Sequence, residues 1–198
     1  MTLPNDPTRR ALMTSVAGLS LGSTANAESP TPVARSTQRS SILVVFFSRT
    51  GNTRVVAGLI QRATGAQMFE IVPASAYPVD YLATVEQARV ERDNGIRPAM
   101  AANIQGMGGF KTVYLGFPIW GETAPPLIRT LLSSQDMAGK TIIPFITHGG
   151  YGLGNSEAVL AQHAPKARLV KAFSMQADQE RQTMDRVNGW LQQVPALR

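Results

Sequence analysis

Ile42-Leu43-Val44-Val45-Phe46-Phe47-Ser48-Arg49-Thr50-Gly51-Asn52-Thr53 is the stretch on which the fold turns. Its first half is an unbroken apolar run with β-branched and aromatic residues. A strand buried on both faces has that composition, and such strands belong to parallel sheets covered by helices. The second half gathers hydroxyls around a glycine. Then Val55, Val56, Leu59, Ile60 and Ala63 recur at helical spacing until Gly65 stops the pattern. The unit is strand, loop, helix.

The same unit repeats toward the C-terminus. Strands are predicted over 67–72, 112–116, 141–147 and 169–173, with helices over 125–132, 156–163 and 179–193. Strands alternating with helices give βαβ units, a parallel sheet and right-handed crossovers. Residues 74–110 are too long for a plain connection. Asp80 can cap a helix from Tyr81 to about Asp93, which Gly95 and Pro98 would end. Two roles are open to this segment: shaping a pocket, or covering a sheet edge.

Toward the N-terminus the pattern disappears. Arg9-Arg10 precede a mildly apolar, Ser- and Gly-rich stretch from Ala11 to about Leu21, and Ala25-Asn26-Ala27 follows. That is the layout of an export signal with a small-residue cleavage site. The paired arginines resemble the twin-arginine signal of bacteria, although Leu12-Met13 replaces its usual Phe-Leu. The alternative is an ordinary secretory signal that happens to hold two arginines. Residues 1–27 are thus expected to be an export signal, 28–40 a Ser-, Thr- and Pro-rich linker, and 41–198 the domain, delivered to the periplasm. The apolar stretch is far shorter than the ~20 residues of a membrane span. No other run could span, so no membrane insertion is expected once the signal is removed.

Composition excludes whole classes. The 198 residues contain no cysteine, which removes disulfides, thiol nucleophiles, and cysteine-ligated zinc or iron–sulfur sites. Net charge is +6, spread without a dense basic run, so no nucleic-acid footprint is visible. The two histidines give no metal-binding spacing such as H-E-x-x-H. Neither candidate serine has the G-x-S-x-G context.

Three loops carry the chemistry. In Ser48-Arg49-Thr50-Gly51-Asn52-Thr53, hydroxyls and free amides meet at a helix N-terminus, where a phosphate monoester fits. The alternative reading of these residues is an N-cap with a turn glycine. No Gly-Lys-Ser/Thr follows, so this is not a nucleotide-hydrolysing P-loop, and no G-x-G-x-x-G marks a dinucleotide site. The second loop contains Pro118-Ile119-Trp120-Gly121, whose tryptophan is placed to stack on a flat ligand. The third contains Thr147-His148-Gly149-Gly150-Tyr151-Gly152, whose glycines let backbone lie close to a ring edge. His148 can either donate to a ligand or satisfy its own neighbours. Arg89, Arg92, Glu86 and Glu91 have the spacing of a solvated helix face. Trp190 is expected in the core and His163 in solvent.

Taken in order, the three loops resemble those of the flavodoxin family. Ser48 to Thr53 is similar to the family's Ser/Thr-x-Thr-Gly-x-Thr, and Trp120-Gly121-Glu122 to its Trp-Gly-acidic loop. The resemblance spans about Ser41 to Val194. It implies a flavodoxin-like three-layer, doubly wound α/β sandwich, with a five-stranded parallel sheet in the order 2-1-3-4-5. It also implies non-covalent FMN. Ser48, Thr50, Asn52 and Thr53 would hold the phosphate, and Trp120 would cover one flavin face. Gly121 matches the position whose peptide carbonyl turns toward flavin N5–H on one-electron reduction. Tyr151 would be the second stacking ring. The function implied is electron transfer to a redox protein partner. The alternative is reduction of quinones or other small acceptors at the expense of NAD(P)H or a partner. The basic charge departs from the strongly acidic carriers of the family.

Overall fold

The computed structural model describes residues 40–177 and 180–194. The expected export signal, and the linker up to residue 39, lie outside the described residues. Element order is β1 (Ile42–Phe46), α1 (Asn52–Thr64), β2 (Gln67–Glu70), α2 (Tyr81–Asp93), a 3-10 turn (Met107–Gly109), β3 (Thr112–Pro118), α3 (Pro126–Ser134), β4 (Thr141–His148), α4 (Ser156–His163), β5 (Arg168–Leu169), β6 (Phe173–Gln176) and α5 (Glu180–Leu191).

All strand pairs are parallel, in the order β2-β1-β3-β4-β5, with β6 also on β4. That is the expected 2-1-3-4-5 order. Strand alternation divides the core. Leu43, Val45 and Phe47 face one apolar cluster with Val113, Leu115 and Ile142, where α3 and α4 bring Leu127, Ile128, Leu131 and Leu160. Val44 and Phe46 face a second cluster with Tyr114, Ile143 and Phe145, where α1 and α5 bring Val56, Ala57, Ile60 and Val187. Helices thus cover both faces, and this produces the continuous apolar runs of the strands. Gly116 on β3 makes room for the Phe145 ring, which lies 2.1 Å from where a Cβ would stand.

The last strand corrects the sequence reading. A single strand over 169–173 is replaced by two short ones separated by Val170–Ala172. Register against β4 shows why. Ile142 pairs with Leu169, but Phe145 pairs with Phe173, so one extra residue is inserted. The Val170 amide donates to Ile142 O at 2.9 Å. The next rung would need an N–H from residue 144, and residue 144 is proline. The Ala172 amide instead donates to Glu157 Oε1 on α4, at 2.9 Å.

Residues 74–110 leave the sheet after β2 and return through an antiparallel bridge, Pro73 to Met100. Asp80 caps α2 by accepting from the Ala83 amide at 2.7 Å. Thr130 on α3 donates to Pro98 O at 2.9 Å and anchors the return. Among the described residues, no helix is long and apolar enough to cross a membrane. Trp190 is half-buried, stacked on Phe173 at 4.6 Å and edge-on to Tyr114 at 5.9 Å. His163 is half-buried rather than solvated, and burial is the main reason its pKa is lowered.

Candidate functional site

The loops that follow β1, β3 and β4 meet at the carboxyl edge of the sheet, and α2 faces them across a cavity of about 520 Å³. A cleft of that size suits a cofactor or small molecule. Of the residues expected at the site, Arg49, Thr50, Asn52, Pro118, Ile119, Trp120, Gly121, Thr147, His148 and Gly149 line it. Ser48, Gly51, Thr53, Gly150, Tyr151 and Gly152 do not.

The first loop is preorganised. Ser48 Oγ accepts from the Gly51 amide at 3.1 Å and from the Arg54 amide at 3.3 Å. Gly51 has a φ of 96°, a conformation that favours glycine. The Asn52 and Thr53 amides open α1 and have no backbone partner, as first-turn amides must. Thr53 itself is buried, and its hydroxyl shares a 2.8 Å hydrogen bond with the Thr147 hydroxyl. It therefore ties the first loop to the third. Arg49 Nη2 donates to Val79 O at 2.7 Å and Pro78 O at 3.3 Å, linking the loop to the segment that leads into α2.

The second loop is a tight reversal. The Trp120 amide donates to Thr123 O at 3.0 Å, and the two residues between them have positive φ, 57° at Gly121 and 62° at Glu122. This is the backbone of a two-residue hairpin turn. Glycine adopts it freely, whereas glutamate there costs about 1–2 kcal/mol. Glu122 is the only non-glycine residue with positive φ among the described residues. Trp120 lines the cavity and is also packed, standing edge-on to Phe47 at 5.2 Å and to Tyr77 at 4.9 Å.

The third loop leans on the second. The Asn155 amide donates to Glu122 O at 3.0 Å. Gly154 has a φ of 52°, and a Cβ there would lie 1.8 Å from Glu122 O. The Gly150 amide donates to His148 Nδ1 at 3.1 Å, which leaves Nε2 as the N–H donor of a neutral ring. Burial first, and Arg186 second, lower the His148 pKa. Tyr151 is 79% exposed and stands outside the cavity.

Sequence reasoning placed α2 but named none of its residues at the site. Tyr81, Thr84, Val85, Ala88, Arg89 and Arg92 form the opposite wall. The segment therefore shapes a pocket, and Arg89 and Arg92 are not merely a solvated face. Glu91 is buried at 6% exposure, where Tyr77 Oη and Gln87 Nε2 each donate to it at 2.7 Å. The signal was the length of the segment between β2 and β3. Helical periodicity alone could not say which face turned inward.

A family profile described as flavodoxin matches residues 41–194. The chain belongs to the flavodoxin family. No curated protein matches it. Among solved structures, a candidate flavoprotein from Bacteroides uniformis ATCC 8492 is 31% identical, with a TM-score of 0.70 over 78% of this chain and 99% of that one. A candidate flavoprotein from Bacteroides eggerthii DSM 20697 is 30% identical, with a TM-score of 0.68 over 77% and 96%. A flavoprotein from Lactobacillus acidophilus NCFM, solved in complex with FMN, shares the fold at 17% identity, with a TM-score of 0.59 over 73% and 97%. In this flavodoxin-family fold the cavity sits where the order reverses between β1 and β3. The family itself exemplifies flavin binding at that switch point.

Proposed function

We propose that this chain is an FMN-binding redox protein that transfers electrons through a non-covalent flavin. The observation that carries the reading is the convergence of three βα loops on one cavity with the open amides of α1 beside it. The residues fit the group. Thr50, Asn52 and the free first-turn amides suit a phosphate monoester, and Trp120 and Gly121 offer an aromatic wall and a pliable peptide to the ring. Bound there, FMN would supply one- and two-electron transfer. The chain's own part is to hold the phosphate, orient the ring and exclude water from one side. The partner is a redox protein or a small acceptor. By its leader sequence, the protein is exported to the bacterial periplasm.

Denaturing the purified protein tests this directly. Release of FMN in near-equimolar amount is expected. Release of FAD, or a protein that cannot be loaded with FMN, rejects the reading. The α2 wall also favours a second reading, a reductase of quinones or other small acceptors. Tyr81, Val85 and Ala88 give the cavity an apolar side beyond the three loops. NADH or NADPH oxidation by the FMN-loaded protein, dependent on added quinone, distinguishes that enzyme from a pure carrier.

A further inference from the structure

The α2 wall adds two arginines to the one that the first loop supplies. Arg49, Arg89 and Arg92 line the cavity, and no carboxylate does. The three are not equivalent. Arg89 commits Nε and Nη2 to Glu86 and Nη1 to Asp93. Arg49 donates to the Pro78 and Val79 carbonyls. Arg92 donates only Nε, to Asp93 at 2.9 Å, and its two Nη groups have no partner among the described residues. Its Nη1 lies 2.5 Å from where a Cβ on Gly121 would stand, so the guanidinium fills the space over the turn of the second loop.

The surroundings deepen the positive field. Arg129 on α3 has no carboxylate partner among the described residues, and its Nε is buried without a hydrogen bond. Burial, then Arg92, then Arg97 lower its pKa, which places Arg129 in the field of those two cations. His148 adds a neutral N–H donor on the cavity wall. Val85 and Ala88 lie on the same face of α2 as Arg92 and give it an apolar flank. The unpartnered Nη donors of Arg92 beside an apolar wall, with no acid among the lining residues, select an oxyanion attached to an apolar body.

We propose that the α2 side of the cavity binds a small planar molecule bearing a carboxylate or sulfonate, its oxyanion on Arg92 and its ring against Val85 and Ala88. This deepens the redox reading by naming the ligand class taken beside the flavin, and rests on that reading only for the flavin. The competing use of Arg92 is the phosphate of FMN itself. Against it, Arg92 approaches the Gly121 turn, whereas the first loop has its own arginine and its own open amides.

Isothermal titration of the protein as purified decides the matter, with naphthalene-2-sulfonate compared against naphthalene-2-methanol. Flavin content is read separately from the visible spectrum. The sulfonate is expected to bind at least about tenfold more tightly than the alcohol, as for one charge-assisted pair. Arg92→Gln should remove that preference and leave alcohol binding within about twofold, while Arg92→Lys should keep part of it. Equal affinities in the unaltered protein, no binding of either probe, or a preference that survives Arg92→Gln would overturn the proposal. So would an Arg92→Gln protein that loses affinity for FMN but not for riboflavin, because the arginine would then serve the phosphate. A colourless protein that cannot be loaded with FMN, yet keeps the Arg92-dependent preference, rejects the flavin reading alone.

Discussion

Tyr77 stands edge-on to Trp120 with ring centroids 4.9 Å apart, while its phenol donates a 2.7 Å hydrogen bond to the buried Glu91. One residue thus joins α2 to the second loop. Burial, and then Glu91, hold the phenol well above its ordinary pKa, so it remains a donor. Tyr77→Phe keeps the ring contact and removes the donor. Glu91 is left with Gln87 alone, which should cost about 1–3 kcal/mol. A lower urea midpoint with an unchanged slope is the expected result. An unchanged midpoint would mean that the link contributes nothing to stability.

The two threonines of the first loop should separate by phenotype. Thr50 lines the cavity, whereas Thr53 is buried against Thr147. Thr50→Ala should weaken FMN binding roughly 10–150-fold, the value of a hydrogen bond to a charged group, with little effect on the apoprotein. Thr53→Val should destabilise the apoprotein by about 1–3 kcal/mol, because Thr147 is left unpartnered. Riboflavin binding serves as the control, since it lacks the phosphate and should ignore Thr50→Ala.

Gly154 and Gly152 both have positive φ, yet only one is in contact. A Cβ at 154 meets Glu122 O at 1.8 Å, and one at 152 meets nothing within 4 Å. Gly152→Ala should therefore cost only the strain of a left-handed residue, about 1–2 kcal/mol. Gly154→Ala should cost clearly more and displace the second loop, read as a changed Trp120 fluorescence. Equal costs would show that the two loops can move apart freely.

Acid should weaken the fold before its carboxylates protonate. His148 and His163 both have pKa values lowered from 6.5, chiefly by burial. The folded state therefore binds fewer protons than the unfolded state just below that pH. Stability is fully present above about 6.5 and declines as pH falls through the folded values. Glu86 and Asp93, lowered by their arginine partners, add their loss only below 4.5 and 3.8. Urea midpoints between about pH 5 and 7.5 should fall with acid, and His148→Gln combined with His163→Gln should flatten that slope.

Most of the architecture could be read from periodicity. The apolar run of β1 and the helical spacing after Gly51 specify a buried parallel strand and its crossover. Where the reading failed, it failed over tertiary position. The fifth strand breaks because Pro144, on its neighbour β4, cannot supply a rung, and a break caused by the partner strand leaves no mark in 168–176 themselves. Arg89 pairs with Glu86 and Asp93 at i−3 and i+4, the pattern of an exposed helix, and it does make those pairs. The same helix still turns Arg92 and Val85 toward the cavity, because Tyr77, Thr130 and the Pro73–Met100 bridge fix the whole excursion. Trp120 was legible as a ligand wall, but its edge-on packing against Phe47 and Tyr77 depends on residues 43 and 73 positions away in sequence.

The proposed export route follows from the cofactor as much as from the arginine pair. FMN held without a covalent bond is lost if the chain is threaded unfolded through a membrane. A route that carries folded proteins avoids that loss, and Arg9-Arg10 ahead of a weakly apolar stretch matches such a route. Loading before export would also stabilise the fold, since a ligand at ~100 times its dissociation constant adds about 2.7 kcal/mol. Arg9→Lys combined with Arg10→Lys retains the positive charge that an ordinary secretory signal requires. The double variant should accumulate in the cytoplasm, FMN-loaded and uncleaved after Ala27, as judged by fractionation, absorbance and intact mass. Normal delivery to the periplasm would reject the twin-arginine route. The proposed flavin site does not depend on that result, because it rests on Thr50, Trp120 and the loop after β4, all far from residues 1–27 in sequence.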